Sequence, residues 1–88
     1  MKVILSPKAE KQLKRLSKIN QIAVAKKIRS IRDSFSVSKE EKLTGFKHIF
    51  RVRIGNYRIV YKKTKKLLHI VLIGHRKDIY KFLKRLLG

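Results

Sequence analysis

The chain has 88 residues, 43% of them hydrophobic, with 25 Lys and Arg against 5 Asp and Glu, a formal net charge of +20. That length admits one small domain, residues 1–88, with a modest core, and the apolar share separates it from a disordered basic tail. Zero cysteines exclude disulfides and thiolate metal sites, while a positive field of this size attracts polyanions and repels other copies of the chain. Lys2–Leu5 reads as a first strand. Its apolar run is too short for a signal-peptide core, and no stretch approaches the roughly 20 apolar residues of a membrane helix, so a soluble cytoplasmic protein without membrane contact is expected.

Ser6-Pro7 starts a helix, with Ser6 as N-cap and Pro7 at the first helical position. It is expected to run to about Lys18, burying Ala9, Leu13 and Leu16. Asn20 then caps a second helix, striped by Ile22, Ala23, Ala25, Ile28 and Ile31 or Phe35, and the short Lys18–Asn20 link folds the two into an antiparallel hairpin. Lys8, Lys11, Lys14, Lys18, Lys26 and Lys27 read as solvated helix surface. From Ser34 to Gly45 the pattern breaks, and a loop carrying Glu40 and Glu41 is expected.

Phe50–Tyr61, "FRVRIGNYRIVY", reads as two strands joined at Gly55-Asn56, where a glycine at the first central position suits a type II′ turn. That turn pairs Ile54 with Tyr57, Arg53 with Arg58 and Arg51 with Val60. Phe50, Val52, Ile54, Tyr57, Ile59 and Tyr61 then share an apolar face, and Arg51, Arg53 and Arg58 share the other. Like charges directly across a strand pair are destabilising, so this face calls for an anion. A basic turn at Lys62–Lys66 leads to "LLHIVLIG", Leu67–Gly74, an unbroken apolar run that reads as a central strand covered on both faces and paired antiparallel with the 57–63 strand. Helical spacing resumes in "HRKDIYKFLKRLLG" with Ile79, Phe82, Leu83 and Leu86 as the stripe. The order β-α-α-β-β-β-α gives an α+β domain, a helical hairpin packed on one face of a twisted, mainly antiparallel four-stranded sheet, followed by a C-terminal helix.

The five acids are scattered, which argues against a two-metal nuclease site, and the three histidines lack ligand spacing, so no metal or cofactor is expected. His69, within the apolar run, reads as a strand histidine. Residues 46–88 hold 13 Lys and Arg against one acid, +12, whereas residues 1–45 hold 12 against four, +8, so the second half is the stronger contact surface. Arginine, lysine, histidine and tyrosine can cleave RNA without metal. The ribose 2′-OH is itself a nucleophile, and the protein need only take its proton, stabilise the phosphorane and protonate the leaving oxygen. Forked guanidinium donors suit the phosphoryl charge, with Arg58 flanked by Arg51 and Arg53. Arg76 and Tyr80, four apart, share a face if a helix begins near Arg76. Core packing for Tyr80 and a helix-start role for His75 are the plainer alternatives.

"KLTGFKHIFRVRIGNYRIVYKK" followed by "LHIVLIGHRKDIYKFL" resembles the RelE/ParE toxin superfamily of bacterial and archaeal toxin–antitoxin pairs, specifically its RelE-like branch, over nearly the whole chain. The resemblance implies a microbial-RNase type fold and a toxin that enters the ribosomal A site and cuts mRNA through 2′-OH attack, leaving a 2′,3′-cyclic phosphate and a 5′-OH. It also implies a toxin monomeric by itself, held in a hetero-oligomer by a cognate antitoxin with an acidic wrapping segment. The family's basic positions fall on Arg51 and Arg53, its transition-state arginine on Arg58, the arginine after the last strand on Arg76 and the tail tyrosine on Tyr80. Lys47, Lys62 and Lys77 complete the expected RNA-binding set. Some relatives carry lysine at the first two positions; arginine cannot act as base, which leaves that duty open between His75 and Tyr80. ParE-like members share the fold, are reported to poison DNA gyrase and generally lack the arginine and tyrosine set. Gyrase inhibition is therefore the alternative function, and a non-catalytic RNA- or ribosome-binding module a third.

Overall fold

The structure, a computed structural model, describes residues 1–34, 40–43 and 47–87, and within the last helix the side chains of 76–81, 84 and 85. The expectations for Phe35, Thr44 and Gly45, and for the side chains of Phe82, Leu83 and Leu86, lie outside this set.

Strand β1 is Lys2–Leu5, and Ser6 turns the chain into helix α1, Pro7–Arg15. The Ser6 hydroxyl oxygen accepts from the Ala9 N–H at 3.0 Å, which is the N-cap expected from Ser-Pro. The helix ends one turn earlier than the sequence suggested. Helix α2, Lys18–Asp33, is capped by Ser17, whose side chain accepts from the Asn20 N–H at 3.3 Å, so Asn20 sits inside the first turn rather than at the cap. Both residue types favour N-caps, and the earlier break leaves Leu16 packed against the core. The buried stripe of α2 is Val24, Ile28 and Ile31 at i, i+4 and i+7, whereas Ile22 is 55% exposed and falls outside it.

The remaining elements are β2 (Glu41–Lys42), β3 (Ile49–Ile54), β4 (Tyr57–Lys63), β5 (Leu67–His75) and α3 (Arg76–Leu87). They build a five-stranded sheet in the order β1-β5-β4-β3-β2, with β1 parallel to β5 and every other pair antiparallel. The extra strand beyond the four expected is β2, two residues long, lying where the sequence offered only a loop. In β3–β4 the expected register holds throughout, with Arg53 opposite Arg58, Arg51 opposite Val60 and Ile54 opposite Tyr57. Gly55 has φ +55° while Asn56 does not share the positive φ, which fits the type II′ turn and excludes I′.

On one face of the sheet Val52, Ile59, Tyr61, Leu68, Ile70 and Ile73 pack against Ala9, Val24, Ile28 and Ile31 of the two helices. On the other, Val60 and Leu72 pack under Ile79 of α3. The run in β5 serves both faces through a register shift. Val60 pairs with Leu72 but Tyr61 with Ile70, so Val71 is a bulge, and every side chain after it faces opposite to what plain alternation would give. Beyond Leu5 the chain leaves β5, and side chains replace the lost strand: the Ser6 hydroxyl donates to the Val71 carbonyl at 2.8 Å and Gln12 Oε1 accepts from the Ile73 N–H at 2.8 Å.

Candidate functional site

Arg51 and Arg53 of β3 and Arg58 of β4 come together, as their register requires, on the face that carries α3. They line a cleft of about 260 Å³ together with Glu40 and Glu41. Gly74 lies opposite Arg58, and Ile79 of α3 stands beside it, 3.4 Å from where a Cβ would be, so α3 packs next to the arginines.

Arg51 organises the cleft. Its Nη2 and Nε donate to Glu41 Oε2 at 2.7 and 3.0 Å, and its Nη1 donates to the Tyr80 hydroxyl at 3.2 Å, with the guanidinium carbon 5.7 Å from the Tyr80 ring centre. Glu41 reaches Arg51 because the two residues are directly paired across β2 and β3. Arg53 and Arg58 pair with no carboxylate among the described residues, so the cross-strand repulsion between them stands uncompensated.

The start of α3 joins this end of the sheet, because the Arg76 N–H donates to the Asn56 carbonyl in the β3–β4 turn at 3.0 Å. Arg76, Lys77 and Tyr80 therefore begin next to the Arg53–Arg58 pair, and all three are exposed. Lys62 occupies the same sheet face, four residues further along β4 from Arg58, or about 13 Å at the strand rise. Lys47 lies in the turn beyond the far end of β3, six residues before Arg53, and is not brought to the cleft.

His75 is placed elsewhere. The bulge at Val71 turns it to the face of the helical hairpin, where it pairs with Tyr57 and its ring meets the Tyr57 ring edge-on at 6.0 Å; its Nδ1 accepts from the Lys77 N–H at 3.4 Å. Of the two groups left open for proton transfer, Tyr80 is thus the one on the arginine face. Glu41 was missed in the sequence because a two-residue strand has no periodicity to read; the available signal was a pair of adjacent acids in a chain with five, just before the arginine strand. Its neighbour Glu40 accepts a hydrogen bond from the Tyr61 hydroxyl. Burial pushes the Tyr61 phenol well above its ordinary value, and Glu40 adds to the shift. Among the described residues no three of His, Asp and Glu converge to hold a metal ion.

The sheet thus carries a helical hairpin on one face and, on the other, an arginine cleft under a C-terminal helix. The model of the family described as the ParE toxin of the type II toxin–antitoxin system parDE matches residues 3–80, and the chain belongs to that family within the RelE/ParE superfamily. No curated protein sequence gives a significant match. The RelE chain of a RelB–RelE antitoxin–toxin complex from Methanococcus jannaschii is similar at 23% identity and a TM-score of 0.74, over 90% of this chain and 96% of that one. The isolated RelE toxin of E. coli is similar at 21% identity and a TM-score of 0.73, over 97% of each chain. YafQ of E. coli gives 18% identity and 0.68, over 90% and 97%. At these identities the likenesses speak for the fold.

Proposed function

We propose that this toxin cuts mRNA in the ribosomal A site by attack of a ribose 2′-OH on the adjacent phosphate, leaving a 2′,3′-cyclic phosphate and a 5′-OH. The observation that carries the reading is the convergence of three arginines in one cleft, two of them without a carboxylate partner among the described residues, with Glu41 and Tyr80 on either side of the third. Arg53 and Arg58 bind the phosphoryl oxygens and hold the charge that grows on them in the phosphorane. Glu41, a carboxylate already in the cleft, takes the 2′-OH proton, and Tyr80 gives its hydroxyl proton to the departing 5′-oxygen. Arg51 sits between donor and acceptor and steadies both. Arg76, Lys77 and Lys62 extend the cationic surface along the RNA. Several structural relatives are complexes with an antitoxin, the archaeal RelB–RelE complex among them. An acidic antitoxin segment laid over the same arginines accounts for neutralisation here, in the cytoplasm where ribosomes work.

The test is a translation reaction with programmed ribosomes, mapping mRNA ends for the wild type and Arg58→Ala, beside ribosome-free RNA. A-site cuts with cyclic-phosphate and 5′-OH ends, reduced about 10²–10³-fold in the variant, are expected from the loss of one transition-state donor. Intact mRNA throughout overturns the reading. In that case the alternative, gyrase inhibition as reported for ParE-like members of the superfamily, is tested by a supercoiling assay.

A further inference from the structure

Tyr61 of β4 stands in the core under the helical hairpin, fully buried, with its ring stacked on that of Phe50, its partner in β3, at 5.9 Å between centres and 25° between planes. Phenylalanine would fill such a position without bringing in a polar atom, and a buried hydroxyl costs free energy unless it is bonded. Packing alone gives no reason for the tyrosine. Its hydroxyl reaches across β3 and donates to Glu40, the residue that leads into β2. Burial first, and Glu40 second, hold the phenol well above its ordinary value, so it stays a donor wherever the carboxylate is ionised.

That contact secures a short piece of the sheet. β2 is an edge strand of two residues, tied to β3 by the pairs Glu41–Arg51 and Lys42–Phe50 and by the Leu43 N–H, which donates to the Ile49 carbonyl at 2.9 Å. The Glu41 side chain is 64% exposed in its ion pair with Arg51, and an exposed pair holds little by itself. Side chains alternate along a strand, so a Glu40 drawn toward Tyr61 leaves Glu41 turned to Arg51 and the cleft. Phe50 joins the two ends of the arrangement, since it stacks on Tyr61 and pairs with Lys42.

A base must stand within hydrogen-bond reach of the proton it takes, and a displacement of about 1 Å can cost about a hundredfold in rate. We propose that Tyr61 is a positioning residue for cleavage: through Glu40 it fixes the strand that carries Glu41 and so sets that carboxylate at the arginine cleft. This role rests on the reading of the cleft as the site of cutting and of Glu41 as its base. Enclosed by the core, Tyr61 acts on the reaction through Glu40 and the strand that follows it.

The experiment measures single-turnover cutting on programmed ribosomes, and ribosome affinity, for the wild type, Tyr61→Phe, Glu41→Gln and the double variant, and follows exchange of the Leu43 N–H by NMR in the same proteins. Tyr61→Phe should cut about tenfold more slowly or worse, with ribosome affinity within about twofold of the wild type, and its Leu43 N–H should exchange about tenfold faster. In the Glu41→Gln background the same change should alter cutting by less than about twofold, because the base it serves is gone. Ile70→Ala is the control for a loosened core: an edge amide opens locally, so Leu43 exchange, like cutting by the folded fraction, should stay at the wild-type rate. Glu40→Ala breaks the same contact from the edge, should match Tyr61→Phe in both readouts and should add nothing to it in combination. It carries the test if Tyr61→Phe does not fold. Wild-type cutting by Tyr61→Phe, unchanged Leu43 exchange, or an equal loss with and without Glu41 overturns the role of Tyr61 and leaves the proposed function in place. A wild type that cuts no mRNA overturns the proposed function and this role with it, whatever the exchange shows.

Discussion

On the face under the helical hairpin, Val52, Ile59, Tyr61, Leu68, Ile70 and Ile73 are closed off from water. On the opposite face the neighbouring positions of the same strands present Arg51, Arg53, Arg58 and Lys62, with Val60 and Leu72 buried beneath Ile79. The first face satisfies folding by burial, worth about 25 cal/mol per Å² of apolar surface. The second leaves a like-charge pair across β3 and β4 that folding alone would remove. Strand pairing forces the two faces to share one backbone, so the apolar face holds the arginines in a geometry their mutual repulsion opposes.

Substitutions on each side should separate the two roles. Ile70→Ala, at the centre of the packed face, should lower unfolding free energy by about 2–5 kcal/mol in a denaturant titration. Activity of the fraction still folded should be unchanged. Glu41→Gln should reduce ribosome-dependent cutting by about a hundredfold, with melting temperature and ribosome affinity retained, as read by single-turnover kinetics. Unchanged cutting would remove Glu41 from proton transfer.

Tyr61→Phe, which releases Glu40, should cost on the order of 1.5 kcal/mol. It also changes the response to alkali. The native phenol is held above its ordinary value, whereas the unfolded one ionises near pH 10, so wild-type stability contributed by Tyr61 is present below about pH 10 and lost as pH rises beyond it. The variant should lack that part of the alkaline slope. The smallest effect expected is from Arg53→Gln, which relieves the cross-strand repulsion and should raise stability by about 0.2–1 kcal/mol while weakening RNA binding. A loss of stability there would mean that the arginine pair is held by something other than its neighbours' packing.

The β3–β4 hairpin was legible in the sequence because alternation, the arginines and Gly55 all specify one register. The α1 cap was legible because Ser-Pro admits little else. Three features were not. The break between α1 and α2 moved because Ser17 and Asn20 compete as caps. The β2 strand, and with it the Glu41–Arg51 contact, rests on two residue pairs and carries no pattern. The bulge at Val71 is invisible in an unbroken apolar run, yet it alone decides that Gly74 rather than His75 faces the arginines. Charge also read differently in two places: Arg58 declared itself through pairing, whereas Lys11 and its neighbours on α1 offered only a solvated helix face.

The side chains of Ser6 and Gln12 occupy hydrogen-bonding positions on β5 that a neighbouring strand would otherwise claim. They act as a stopper on the sheet's margin. Among the described residues, a foreign strand seeking main-chain partners meets the four residues of β1 on one side and, on the other, the two of β2 and the three of β3 beyond them, each a short template for runaway stacking.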